Sequence, residues 1–259
     1  MNAMISRFAR TIALALAAGA LAGCASMYGP NPRDPLEPFN RKVYEFNEHV
    51  DSIVLRPAAT AYRQAVPPIV RTGVANFFGN LQDVWTFFNS VLQWRIQDAG
   101  ESLARVQINT IAGLGGIMDV ASELNIEKHK EDFGQTLGRW GMPPGPYVVL
   151  PLLGPSTLRD TMALPIDMKG DLVWRMPRGD ERTVLYGLRA VDRRANLLRL
   201  GDVVDQAALD KYSFTREAYL QKRRADVFDF KESESDGAEP KQDAEPAQRN
   251  PVAPARSKQ

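Results

Sequence analysis

The 259-residue sequence contains one cysteine, Cys24, and two histidines, His49 and His129. A single thiol excludes an intramolecular disulfide framework and any multi-thiolate metal site. Two histidines leave little material for metal or proton-shuttle chemistry, and no metal or cofactor is expected. Charge of one sign is also lacking: 32 basic residues stand against 31 acidic ones. Without a basic surplus to hold a phosphate backbone, nucleic acid is not expected as a partner. No apolar run reaches the roughly 20 residues that a membrane-crossing helix needs.

Catalytic constellations are missing as well. Gly154-Pro155-Ser156-Thr157-Leu158 lacks the second glycine of a nucleophile elbow, and no strand–turn–helix pattern supports one. Ser156 reads instead as the N-cap of a segment starting at Thr157. The run Gly113-Leu114-Gly115-Gly116 follows a helix-like stretch rather than a strand, which argues against a dinucleotide site. His129 lies among Glu127, Lys128, Lys130, Glu131 and Asp132 and reads as part of a solvated loop; His49 reads as a helix-surface residue. No catalytic residue emerges, so no enzymatic activity is expected; the alternatives are a structural lipoprotein that tethers the membrane and a lipid-acting hydrolase that would need Ser156 or His129.

What is present is ordinary globular material, with 44% apolar and 24% charged residues. The N-terminus reads as an address. Arg7 and Arg10 form a basic region, Thr11 to Ala22 is an apolar stretch, and Leu21-Ala22-Gly23-Cys24 resembles a bacterial lipobox. Residues 1–23 are therefore expected to be a lipoprotein signal peptide, with covalent lipid on Cys24. Several acyl chains, at about 0.8 kcal/mol per buried methylene, anchor firmly. Ala25 and Ser26 lack the aspartate associated with inner-membrane retention in Gram-negative sorting. The expected home is the periplasmic face of the outer membrane.

Residues 24–33 read as an acylated tether and 231–259 as a disordered tail without aromatic residues. The folded body is expected over 34–230 as a single, mainly α domain. Asp34-Pro35-Leu36-Glu37 gives an N-cap, a proline at N1 and a glutamate at N3. Phe39, Val43, Phe46 and Val50 follow on one helical face. Pro68 opens a next segment, Asp83 caps a third that runs to Trp94, and Asp98 and Glu101 repeat the capping-box spacing. Leu185, Leu188, Val191 and Leu198 fit a later helix, and 212–230 fits a last one. Tyr147-Val148-Val149-Leu150 is weak evidence for a strand, because prolines bracket it.

The richest local feature is aromatic. Phe77, Phe78, Trp85, Phe87, Phe88 and Trp94 fall within residues 77–94. Apolar groups at 84, 85, 87, 88, 91 and 92 cover more than a narrow stripe, so this helix is either a buried core helix or rests in lipid. Trp85, Phe87, Phe88 and Trp94 are the candidate membrane-interface residues. Gly113, Gly115 and Gly116 form a turn with backbone freedom that could flex. Asn40, Asn47, Asn76, Asn80, Asn89 and Asn109 are polar groups in apolar helices, on their surface or along a wet path.

These strings resemble the MlaA (VacJ-like) outer-membrane lipoprotein family. The resemblance rests on Asp34, Pro35, Phe39, Asn40 and Asn47 of the opening motif, on Gly73 to Leu81, on Asn109 to Gly116, on Phe133 to Gly138, and on Gly145 to Pro151 with Ser156 to Asp160. It covers about 34–225 in order. It implies a mainly helical ring in the inner leaflet of the outer membrane, with an amphipathic channel, beside trimeric porins. It implies removal of mislocalised phospholipids from the outer leaflet and their delivery to a soluble periplasmic lipid carrier. It places Gly113, Gly115 and Gly116 in a loop near the channel.

Overall fold

The computed structural model describes residues 34–175 and 179–228. The expected signal peptide, the acylated Cys24, the tether and the C-terminal tail lie outside them.

Helix α1 (Glu37–Val50) continues through a π-helical turn (Asp51–Leu55) into α2 (Arg56–Ala65). Pro57 explains the π turn: it brings no N–H to the ladder, and its ring crowds the carbonyl one turn back. Helix α3 (Pro68–Leu92) begins at two prolines, where a missing donor costs nothing. It packs along α4 (Ile96–Ile111). The short α5 (Val120–Glu123) and α6 (Phe133–Arg139) follow; Asp132 and Gln135 form a capping box at the start of α6. Strands β1 (Tyr147–Leu150) and β2 (Gly154–Thr157) form an antiparallel hairpin, with Tyr147 opposite Thr157 and Leu150 opposite Gly154. Helix α7 (Leu158–Gly170), a 3-10 turn (Leu172–Arg175), α8 (Gly179–Ala207) and α9 (Lys211–Phe228) complete the described chain. Helix α8 packs on α2 and α3, and α9 packs on α6 and β2.

The mainly α class is as expected, but several local signals carry other meanings. Residues 68–92 are one helix, not two. Asp83 does not cap; it is buried in mid-helix, its carboxylate facing Arg105 on α4. Asp34 does not cap α1 with its side chain. That carboxylate accepts from Asn40, Tyr212 and Arg216 instead, tying the chain entry to α9. Ser156 lies within β2, and the N-cap of α7 is Thr157, whose hydroxyl accepts from the Asp160 amide at 3.2 Å. Trp94 falls beyond the end of α3. It adopts φ +62° at the helix-terminating position where glycine is usual, with the Arg95 amide reaching back to the Ser90 carbonyl.

Apolar packing is sparse. One buried cluster joins Ala59, Ala195 and Leu198 with Tyr62 beside it. The other joins Tyr147, Val149 and Tyr212 with Val43, Tyr44, Tyr219 and Leu220 around them. The largest fully buried side chain described is Arg105.

Candidate functional site

The polarity of α3 is inverted relative to a helix on a water-soluble core. Its buried side chains include Asn80, Asp83, Thr86, Asn89 and Ser90, with Gln93 just past its end. Its exposed ones include Phe88, Val91 and Leu92. The neighbouring segments do the same. Arg105 and Asn109 of α4 point inward, while Ile96, Leu103 and Ile111 point out. Burying a charge costs several kcal/mol unless it is paired, so the interior must be organised by ion pairs.

Three clusters meet that demand. In the first, Arg105 is fully buried. It gives two hydrogen bonds to Asp119 at 2.8 and 2.9 Å, one to Ser122 at 3.1 Å, one to the Ile126 carbonyl at 2.7 Å, and approaches Asp83 at 3.4 Å. Asn109 completes the ring, donating to Asp119 at 3.0 Å and accepting from the Ala121 amide at 2.9 Å. Burial pushes the Asp119 carboxyl up, but bonds from Ser122, Asn109 and Arg105 outweigh it and hold it at about 2. Burial dominates at Asp83 and raises it.

The second cluster joins α3 to the loop before α6. Gln93 donates to Glu131 at 3.0 Å and to Thr136 at 3.1 Å, and Thr136 donates to Asn89 at 2.9 Å. Arg95 pairs with Glu131, whose carboxyl burial raises. In the third, Arg223 on α9 bridges Asp132 at 2.6 Å and Asp160 at 2.9 Å. Tyr219 adds a bond to Asp160 at 2.9 Å. Residues Arg105, Glu131 and Arg223 carried no motif signal. Each is an ordinary charge at a helical or loop position until its partner folds beside it.

His129 is not in a solvated loop. Its side chain is mostly buried, with Nε2 at 2.6 Å from Glu101 and Nδ1 at 3.7 Å from Asp98. The hydrogen bond from His129 pulls the Glu101 carboxyl down. Glu101, Glu127 and His129 place ligand-type atoms within 4.8 Å of one another. The short Nε2–Oε2 distance is that of a direct hydrogen bond. Ser156 Oγ meets Thr161 Oγ1 at 2.9 Å, and a hydroxyl is no general base.

The aromatic candidates divide. Trp85 is half-buried, donates from Nε1 to Asp167 at 2.8 Å, and lies so close to Gly170 that a Cβ there would sit 2.3 Å from the indole. Phe87 is half-buried and Phe88 half-exposed. Trp94 is 85% exposed and Ile111 82%. With Leu114, Ile117, Met118 and Leu124, they form an extensive set of uncovered apolar side chains. Among the described residues no helix is long and apolar enough to cross a membrane.

The glycine turn follows α4 directly. Gly115 and Gly116 have φ +73° and +93°, and their amides reach back to the Thr110 and Asn109 carbonyls at 3.0 and 2.8 Å. A Cβ on Gly113 would sit 2.2 Å from the Met118 carbonyl, and one on Gly116 2.6 Å from Asn80. Gly115 faces open space.

The opening-motif residues gather around β1. Asn40 donates to the Tyr147 carbonyl at 3.0 Å and accepts from the Val149 amide at 2.9 Å. Asn47 donates to the Leu150 carbonyl at 2.9 Å and accepts from the Leu152 amide at 2.8 Å. Pro35 lies in the turn before α1, and Phe39 is half-buried. Asn76 donates to the Ile117 carbonyl and Asn80 to Thr110, both at 3.1 Å.

Comparison with known proteins agrees with this architecture. The model of the MlaA lipoprotein family matches residues 32–226. The intermembrane phospholipid transport system lipoprotein MlaA of Escherichia coli (strain K12) is 38% identical over 224 residues, covering 82% of this chain and 86% of that protein. The protein of the same name from Haemophilus influenzae is 37% identical over 229 residues, covering 85% and 91%. A solved structure described as the structural basis for maintenance of bacterial outer membrane lipid asymmetry superposes with a TM-score of 0.66 at 33% identity. It covers 75% of this chain and 98% of its own. The chain belongs to the MlaA lipoprotein family.

Proposed function

We propose that this chain moves phospholipid at the outer membrane, withdrawing molecules misplaced in the outer leaflet and passing them inward so that lipid asymmetry is kept. The observation that carries this reading is the inverted polarity around α3 and α4. A lipid changing leaflets must keep its headgroup hydrated and its tails in apolar surroundings. An apolar exterior around a polar interior supplies both, with no bond made or broken. Asn80 Oδ1, Ser90 Oγ, Gln93 Oε1 and Ser102 Oγ are buried without a hydrogen-bond partner among the described residues. Such atoms suit an interior that admits water or a polar headgroup. The names of the relatives support the same reading.

In this reading acyl chains on Cys24 hold the body on the periplasmic face of the outer membrane. Trp94 and its neighbours rest in the inner leaflet, a trimeric porin stands alongside, and a soluble periplasmic carrier receives the lipid. Gly113, Gly115 and Gly116 form the loop by the lipid path, and the protein acts without catalysis.

The test is surface-exposed phosphatidylethanolamine on intact cells, read with a membrane-impermeant amine-reactive label. Deleting the gene should raise it, and wild type but not Cys24→Ala should restore it. No rise on deletion refutes the reading. Gly115→Val should impair or unbalance transport while the helical body stays folded: the side chain enters open space, and the strain of a β-branched residue at φ +73° falls on the loop alone.

A further inference from the structure

A cavity of about 550 Å³ lies between the end of α2, the start of α3 and the second half of α8. Three guanidinium groups face it: Arg63, Arg71 and Arg199. Ala195, Leu200 and Val203 line the same space, and Leu200 and Val203 are more than half exposed.

These arginines are set apart by converging on one space with most of their donors free. Other guanidinium groups are matched, among them Arg41 with Asp210, Arg194 with Asp51, Arg216 with Asp34 and Arg223 with Asp132. Arg63 and Arg199 make no hydrogen bond or ion pair to any described residue. Arg71 commits only Nε, to the Val66 carbonyl at 3.2 Å. The acidic group nearby, Asp192, is buried and already accepts from Tyr62 at 3.2 Å and Asn196 at 3.3 Å. Three underused cations around a space of ligand size, with an apolar wall on one side, match an amphiphile with an anionic head. Guanidinium forks suit phosphate oxygens, which they bind in pairs.

We propose that this cavity binds the phosphate of a phospholipid headgroup through Arg63, Arg71 and Arg199, with acyl carbons against Leu200 and Val203. The inference rests on the lipid-moving reading and assigns a headgroup station to it. The cations set a preference for the phosphate and leave the distal headgroup free to vary.

The test uses the full-length acylated protein in detergent, titrated calorimetrically with three probes: dihexanoyl phosphatidylglycerol, dihexanoylglycerol and inorganic phosphate. The phospholipid should bind more tightly than either of the others. Arg63→Gln with Arg199→Gln should weaken it by roughly tenfold or more. The melting temperature should hold, since no ion pair to a described residue is lost. Leu200→Asp provides a second variant: it places a carboxylate on an exposed edge of the wall and should weaken the phospholipid as well. Unchanged phospholipid affinity in both variants overturns the proposal. So does diacylglycerol bound as tightly as phospholipid. Inorganic phosphate bound as tightly makes the cavity a small-anion site and overturns the lipid assignment. Surface-lipid labelling separates the two ideas. A deletion with no lipid phenotype sinks the transport reading. A deletion phenotype fully rescued by the double glutamine variant, with unweakened binding, sinks the cavity alone.

Discussion

Arg105 shows how single residues hold this protein. Its guanidinium is fully buried and shares donors among Asp119, Ser122, Asp83 and the Ile126 carbonyl. Replacing it with leucine keeps the bulk but strips Asp83 and Asp119 of their shared guanidinium, leaving Lys128 as the cation that still acts on Asp83. Breaking such a pair from one side costs about 3–5 kcal/mol. Urea denaturation of Arg105→Leu in detergent should show a loss of that size. Asp119 adds a pH signature to the same cluster. Its carboxyl is held at about 2, below its usual 3.8. A lowered folded pKa gives stability that is present above pH 4 and lost as pH falls toward 2. The stability difference between wild type and Asp119→Asn should therefore shrink by about 2 kcal/mol over that window, as followed by denaturation at pH 2, 3, 4 and 5. Asp83 and Glu131, raised by burial, titrate higher and contribute with the opposite sign, which is why the difference curve and not the raw one carries the test.

Helices were readable in the sequence where their grammar is local. Pro68 opens α3 as expected, and the apolar spacing of Phe39, Val43, Phe46 and Val50 lies on α1. Grammar failed where the same letter serves two ends. Asp83 in front of an apolar run looks like a cap, yet its partner is Arg105, 22 residues away. Asp34 looks like a cap too, and its partner Arg216 is 182 residues away. Of the hairpin only the first strand was signalled, and weakly: Tyr147–Leu150 is β1, while β2 was not foreseen, because a proline-bounded tetrapeptide gains its order from another element. Asn40 and Asn47 are two helical turns apart, about 10 Å. Tyr147 and Leu150 are three strand residues apart, also about 10 Å. The matching repeats let each amide clamp one carbonyl and one N–H of the open strand edge. Asn40→Ala, at a buried site, should cost about 1–3 kcal/mol. Amide exchange at Val149 should quicken in that variant, and at Leu152 in Asn47→Ala. Unchanged exchange at both would remove the clamp from the account.

At the scale of the molecule, the balance of forces is the reverse of a water-soluble helical protein. The buried apolar clusters are small, and the interior is joined by charged networks among α3, α4, α7, α9 and the loops between them. Many of the large apolar side chains, among them Trp94, Ile111 and Leu114, stand outside. Composition could not reveal this, because 44% apolar residues suit either arrangement. Only burial tells which face of each helix turns in. Aromatic crowding at 77–94 carried the hint, and the structure divides it. Trp85 turns inward against Gly170 and Asp167, whereas Trp94 stands clear of its helix. That division makes a sharp test of where lipid lies. In variants that keep one tryptophan and replace the others by phenylalanine, the protein is reconstituted in bilayers with brominated acyl chains. Bromine quenches indoles that it reaches, so Trp94 should lose most of its emission and Trp85 much less. Equal quenching would mean that lipid reaches both sides of α3, and an unquenched Trp94 would place the exposed apolar surface against something other than the bilayer. Only strong quenching of Trp94 with a protected Trp85 fits a body whose outside is solvated by acyl chains and whose inside is kept for the polar groups.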